Sequence, residues 1–187
     1  MNLPNLITLS RLVMTAGCFV CLELTTPGSP EPRLVWWAFW LFVVAAATDY
    51  VDGWIARRWG MVTPLGRVAD PFADKVLICG LLVVLLKFDR VTAIMDTWFV
   101  VVVIAREFLV TTIRGLAESM GHAFPAERLG KWKMVAQCIT AGALLTLVAG
   151  TETFETVASV GLWVTLVLTV LSALQYVYRA RGLLLQP

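Results

Sequence analysis

The sequence predicts an all-α integral membrane protein with six transmembrane helices, and three observations predict it. First, 59% of the 187 residues are hydrophobic and 15% charged, against about 45–50% and about 25% in a soluble domain. Second, the apolar residues fall in long blocks with charges between them, which makes the bilayer the expected solvent. Third, the basic residues segregate to one side once the blocks are threaded back and forth.

A spanning helix needs about 20 mostly apolar residues, and six stretches qualify. The first runs from Leu6 to Leu24 and stops at the breaker-rich Pro27 to Pro32. The second starts near Leu34, is fully apolar to Ala47 and continues in helical register through Asp49 to Trp59. The third runs from Ala69 to Leu86, the fourth from Thr92 to Leu116, the fifth from Lys131 to Ala149 and the sixth from Val157 to Tyr178. An even number of spans leaves both termini on one side. If that side is the cytoplasm it collects Arg11, Arg57, Arg58, Arg67, Lys75, Arg106, Arg114, Arg128, Lys131, Lys133, Arg179 and Arg181, and leaves only Arg33, Lys87 and Arg90 opposite. The positive-inside rule selects that orientation. The loop with Glu152 and Glu155 carries no basic residue, as an external turn should, and Trp36, Trp37, Trp98 and Trp163 lie near span ends where aromatic belts form. No internal repeat, low-complexity tract or long linker divides the chain, so residues 1–187 read as one domain.

Two features are read as ordinary. Cys18, Cys21, Cys79 and Cys138 all lie in apolar stretches, and the Cys18-x-x-Cys21 pair lacks a second ligand pair, so these thiols are expected to be inert. Pro4 and Arg11 interrupt the first apolar segment and no convincing small-x-small site follows it, so it is expected to remain in the mature chain.

The chemistry concentrates between the second and third spans. On a helix, Asp49, Asp52, Gly53, Ala56 and Arg57 fall on one stripe, and Gly66, Asp70 and Asp74 fall on another. The short turn near Gly60 to Pro64 lets the stripes face each other, so four carboxylates converge at the cytoplasmic boundary. Four clustered anions leaving water need compensation, which divalent cations supply. Hard oxygen donors without clustered His or Cys suit Mg²⁺ or Mn²⁺, and two ions bridged by carboxylates form the clamp of phosphoryl chemistry. Gly53, Ala56 and Gly66 leave room for a phosphate-bearing ligand, and Arg57 offers a fork for its oxygens. Taken singly, each residue has a bland alternative: a solvated helix end for Asp, or close helix packing for Gly and Ala.

The segment from Asp49 to Asp74 resembles the CDP-alcohol phosphotransferase signature D-x2-D-G-x2-A-R-x8-G-x3-D-x3-D, matching it at every specified position. The resemblance implies the six-helix CDP-alcohol phosphotransferase fold, a homodimer, and a metal-dependent site open to the cytoplasm. It also implies attack by an alcohol on the β-phosphorus of a CDP-linked lipid with release of CMP. Carried over by position, Asp49, Asp52, Asp70 and Asp74 are metal ligands, Asp74 is the candidate general base, and Gly53, Ala56, Arg57 and Gly66 line the CDP pocket. The implied setting is multi-pass, in the bacterial inner cell membrane, among membrane lipids and without a nucleic-acid partner.

Three further segments are similar to members of this family that use CDP-diacylglycerol and sn-glycerol 3-phosphate: Asn2 to Arg11, Ile104 to Arg114, and Leu129 to Lys133. Arg106, Arg114, Lys131 and Lys133 gather on the cytoplasmic side, as an acceptor phosphate requires and a neutral alcohol does not. Alternatives stand beside these roles. Arg106 pairs with an acid such as Glu107 or one of the aspartates, and Lys131 and Lys133 anchor lipid headgroups. Asn5 and Thr8 either bond donor phosphate or sugar, or cap the first helix. His122 reads as a solvated loop residue. Inositol 1-phosphate, serine and phosphatidylglycerol are rival acceptors. A divalent-cation transporter is the rival from another class, and it predicts acids spread through the bilayer depth rather than at one boundary.

Overall fold

Helices form wherever the sequence is apolar over many residues, because a backbone removed from water satisfies its own hydrogen bonds. The computed structural model describes the backbone of residues 3–59, 64–121 and 128–184 and the side chains of residues 8–48, 69–121 and 128–181. The chain forms α1 (Leu3–Glu23), α2 (Pro32–Trp59), α3 (Pro64–Lys75), a π-helical turn (Val76–Gly80), α4 (Leu81–Leu85), α5 (Asp89–Thr92), α6 (Thr97–Ser119), α7 (Arg128–Val148), a 3₁₀ turn (Glu152–Phe154) and α8 (Glu155–Leu184). Among the described residues there is no strand.

Helices occupy all six expected stretches, with two corrections. The third stretch is not one helix. Pro71 sits inside α3 and withholds an N–H, and the helix widens into the π turn a few residues later. The fourth stretch starts at Thr97 rather than Thr92, because the chain first closes the short α5, turns at Ala93 and Ile94 and runs extended through Asp96. Among the described residues, the segment Glu152–Arg181 is long and apolar enough to cross a membrane, and Pro32–Thr48 is a shorter apolar helix. The other stretches carry charges within their helical length, Arg11 in α1, Arg106 and Glu107 in α6, and Lys131 and Lys133 in α7.

Packing pairs α1 with α2 and α7 with α8, with α6 against α8 and α2 against α7. Among the described glycines, two set the closest approaches. A Cβ at Gly80 would lie 2.6 Å from Phe19 Cζ of α1, and one at Gly161 of α8 would lie 2.6 Å from Thr140 Oγ1 of α7. The interior divides by chemistry. One half is an apolar cluster that includes Cys18, Leu22, Leu81, Leu85, Phe88, Met95 and Leu144. The other half buries Thr8, Arg11, Arg106, Lys133, Gln137, Thr169 and Ser172. Outward faces of the long helices expose Val13, Trp37, Val101, Phe108, Ile139, Trp163 and Leu174.

Candidate active site

The polar half opens into a cavity of about 320 Å³ walled by α3 with its π turn, α6, α7 and the last part of α8. Helical spacing explains which side chains reach it. From α3 come Asp70 and Asp74, one turn apart; from α6 come Arg106, Glu107, Val110 and Arg114; from α7 come Gly130, Lys131, Lys133, Met134 and Gln137. Tyr176 of α8 closes one side, and Ile78 and Cys79 of the π turn also line the space.

The acidic wall is tied to α1. Thr8 Oγ1 donates to Asp70 Oδ1 at 2.5 Å, and Arg11 Nη1 donates to Asp74 Oδ1 at 2.8 Å. Thr8 and Arg11 are both buried, and they lie three positions apart on α1 where one face serves both carboxylates. These bonds fix the orientation of Asp70 and Asp74, as outer partners do for metal-binding carboxylates. The donor set fits a hard divalent cation: carboxylate oxygens on one helical face, held by neighbours that leave them aimed at a shared space. Among the described residues no cluster of three or more His, Cys, Asp or Glu side chains forms. Asp49, Asp52, Gly53, Ala56 and Arg57 lie on α2, Gly66 on α3 and Asn5 on α1, but their side chains are outside the described residues, and His122 is outside them altogether.

The basic wall is organised around one acid. Glu107 accepts a charge-assisted hydrogen bond from Lys133 Nζ, and Arg106 Nη1 lies 3.3 Å from Glu107 Oε1. Arg106 Nε also donates to Ser172 Oγ at 3.1 Å, and its guanidinium passes 5.9 Å from the Tyr176 ring centroid. Arg114 Nη2 donates to Tyr176 Oη at 2.7 Å. Lys131 is exposed at the mouth. Arg106 and Lys133 are only 7% and 5% exposed, so two buried cations share a single carboxylate. An excess of buried positive charge draws an anion into the space it faces.

The structure therefore brings Asp70, Asp74, Arg106, Arg114, Lys131 and Lys133 to one cavity. It gives Arg106 the ion pair with Glu107 that the sequence left open, and gives Thr8 a partner, Asp70, that the sequence did not suggest. Arg11, Gln137 and Tyr176 were not singled out as site residues. A buried arginine in a span had a signal, since an intramembrane charge demands a partner; a lone glutamine and a lone tyrosine within apolar helices had none.

The sequence profile of the CDP-alcohol phosphatidyltransferase family matches residues 1–171. The chain is 37% identical over 188 residues to the CDP-diacylglycerol--glycerol-3-phosphate 3-phosphatidyltransferase of Bacillus subtilis (strain 168), covering 94% of this chain and 93% of that protein. It is 32% identical over 180 residues to the protein of that name from Rickettsia felis, covering 94% and 93%. It is 29% identical over 186 residues to the one from Haemophilus influenzae, covering 98% and 96%.

Proposed function

The chain belongs to the CDP-alcohol phosphatidyltransferase family, and from that premise we propose that it transfers the phosphatidyl group of CDP-diacylglycerol to sn-glycerol 3-phosphate, giving phosphatidylglycerophosphate and CMP. One observation carries the reading: across a single cavity, two oriented carboxylates on α3 face a set of cations on α6 and α7. The names of the similar proteins support the same donor and acceptor.

In this reading Asp49, Asp52, Asp70 and Asp74 would hold Mg²⁺ or Mn²⁺, two ions in all. When bound, such ions would supply positive charge to offset that of the diphosphate and of the departing CMP. Gly53, Ala56, Arg57 and Gly66 form the CDP pocket, with Asn5 and Thr8 at its edge. Arg106, Arg114, Lys131 and Lys133 hold the acceptor phosphate, whose charge complements the excess left by Glu107. Asp74 takes the proton from the acceptor's primary hydroxyl as that oxygen bonds to the β-phosphorus and the bond to the CMP oxygen breaks. Arg11 keeps the Asp74 carboxylate turned toward the hydroxyl.

The protein works as a multi-pass protein of the bacterial inner membrane, in one domain and as a homodimer, with its site facing the cytoplasm. The apolar residues exposed on the outer faces of α1, α2, α6, α7 and α8 support immersion in lipid. The test is an assay of purified protein with CDP-diacylglycerol and, separately, glycerol 3-phosphate, inositol 1-phosphate, serine and phosphatidylglycerol. CMP release is expected with glycerol 3-phosphate, is abolished by EDTA and by Asp70→Asn, and returns with excess Mg²⁺ or Mn²⁺ in the unmutated protein. Turnover of another acceptor with glycerol 3-phosphate ignored would falsify the acceptor assignment.

A further inference from the structure

Gln137 is 4% exposed and lines the same cavity as the two aspartates. Its Nε2 is buried and has no hydrogen-bond partner among the described residues. A buried glutamine in a helical membrane bundle ordinarily bonds across to a neighbouring helix. Thr140, three positions further along α7, does so with Thr165 Oγ1 of α8 at 3.1 Å, and it also donates to the Ala136 carbonyl of its own helix at 2.8 Å. Gln137 stands one turn beyond Lys133, further from the start of α7, where the cations around it are already engaged by Glu107 and Ser172. An amide left unpaired in a buried site carries a standing desolvation penalty that a bound ligand relieves. Being neutral, and both donor and acceptor, an amide suits a hydroxyl better than a phosphate.

We propose that Gln137 is a specificity-determining residue that hydrogen-bonds the middle hydroxyl of the acceptor. The proposal rests on the glycerol 3-phosphate reading above. That acceptor carries three recognisable groups: a phosphate, for the basic wall; a primary hydroxyl, for Asp74; and a secondary hydroxyl on the carbon between them. Two buried side-chain atoms of the cavity lack a hydrogen-bond partner among the described residues, Arg114 Nε and Gln137 Nε2; the arginine belongs to the basic wall, and the neutral amide matches the third group. A site built to bond a hydroxyl discriminates strongly against the analogue lacking it, because its own polar group is then left unpaired.

The test compares sn-glycerol 3-phosphate with 3-hydroxypropyl phosphate, which keeps the phosphate and the attacking hydroxyl but lacks the middle one. The unmutated enzyme is expected to favour glycerol 3-phosphate in kcat/KM by about tenfold or more. Gln137→Met, which keeps the side-chain length, is expected to lose that preference through a lower kcat/KM for glycerol 3-phosphate, with the analogue changed less than about twofold. Equal losses on both acceptors, or a preference unchanged by Gln137→Met, overturn the proposal. So does an unmutated enzyme that uses both equally, a result that needs no variant to fold. An enzyme that turns over neither compound yet uses another acceptor fails at the earlier step, and the acceptor reading falls with this one.

Discussion

Arg11 is 1% exposed inside a helix, and its Nη1 lies 2.8 Å from an oxygen of Asp74. A carboxylate displaced by about an ångström from its working position loses on the order of 10² in rate. Arg11→Met is therefore expected to lower kcat about 100-fold with a smaller change in the KM for acceptor, and Arg11→Lys to restore part of it, as steady-state CMP release will show. Glu107 poses the opposite case, one acid between two buried cations. Glu107→Gln leaves Arg106 and Lys133 facing each other and is expected to cost about 3 kcal/mol in detergent unfolding. Adding Lys133→Met should recover part of that loss, since the double variant buries one fewer unpaired charge. At this scale the convergence of Asp70 and Asp74 on one cavity was legible because their spacing is regular on a helix. Thr8, Arg11 and Tyr176 gain their roles from neighbours about 60 positions away in the chain, a distance over which no local pattern speaks.

Among the elements, α1 matters to the site because it carries both residues that hold the α3 carboxylates. It reaches them where Gly80 offers Phe19 no obstacle. Gly80→Ala puts a methyl group into the ring, and overpacking of this kind costs about 1–3 kcal/mol. The variant is expected to unfold earlier and also to lose activity, since separating α1 from α3 loosens the Thr8 and Arg11 bonds. Glycerol 3-phosphate turnover at a temperature where the protein stays folded checks the second effect. The positions of the helices were legible from apolar block lengths. The break in the third stretch was not, because no pattern within the apolar block Val76–Gly80 marks a π turn. The division of the interior into a polar half and an apolar half follows from where charges fall along each helix, and that pattern was visible in the basic residues before any contact was known.

For the whole molecule, the segregation of Lys and Arg predicts sidedness. A reporter enzyme active only outside the cytoplasm is expected to be silent when fused after Pro187 and active when inserted at Gly150; the reverse would invert the proposed orientation. The long reach of α8 adds a consequence of another kind. Its 30 residues make a rod of about 45 Å, against a hydrocarbon layer of about 30 Å. Tyr176, which closes the cavity, stands on the final turns of that rod, together with Arg179 and Arg181. Thin bilayers must tilt the rod, and bilayers thicker than its apolar length draw its charged end inward, at a fraction of a kcal/mol per ångström of mismatch. Turnover is therefore expected to depend on bilayer thickness. Reconstitution in phosphatidylcholines of increasing chain length should give a rate that peaks at intermediate thickness and falls in the thickest bilayers.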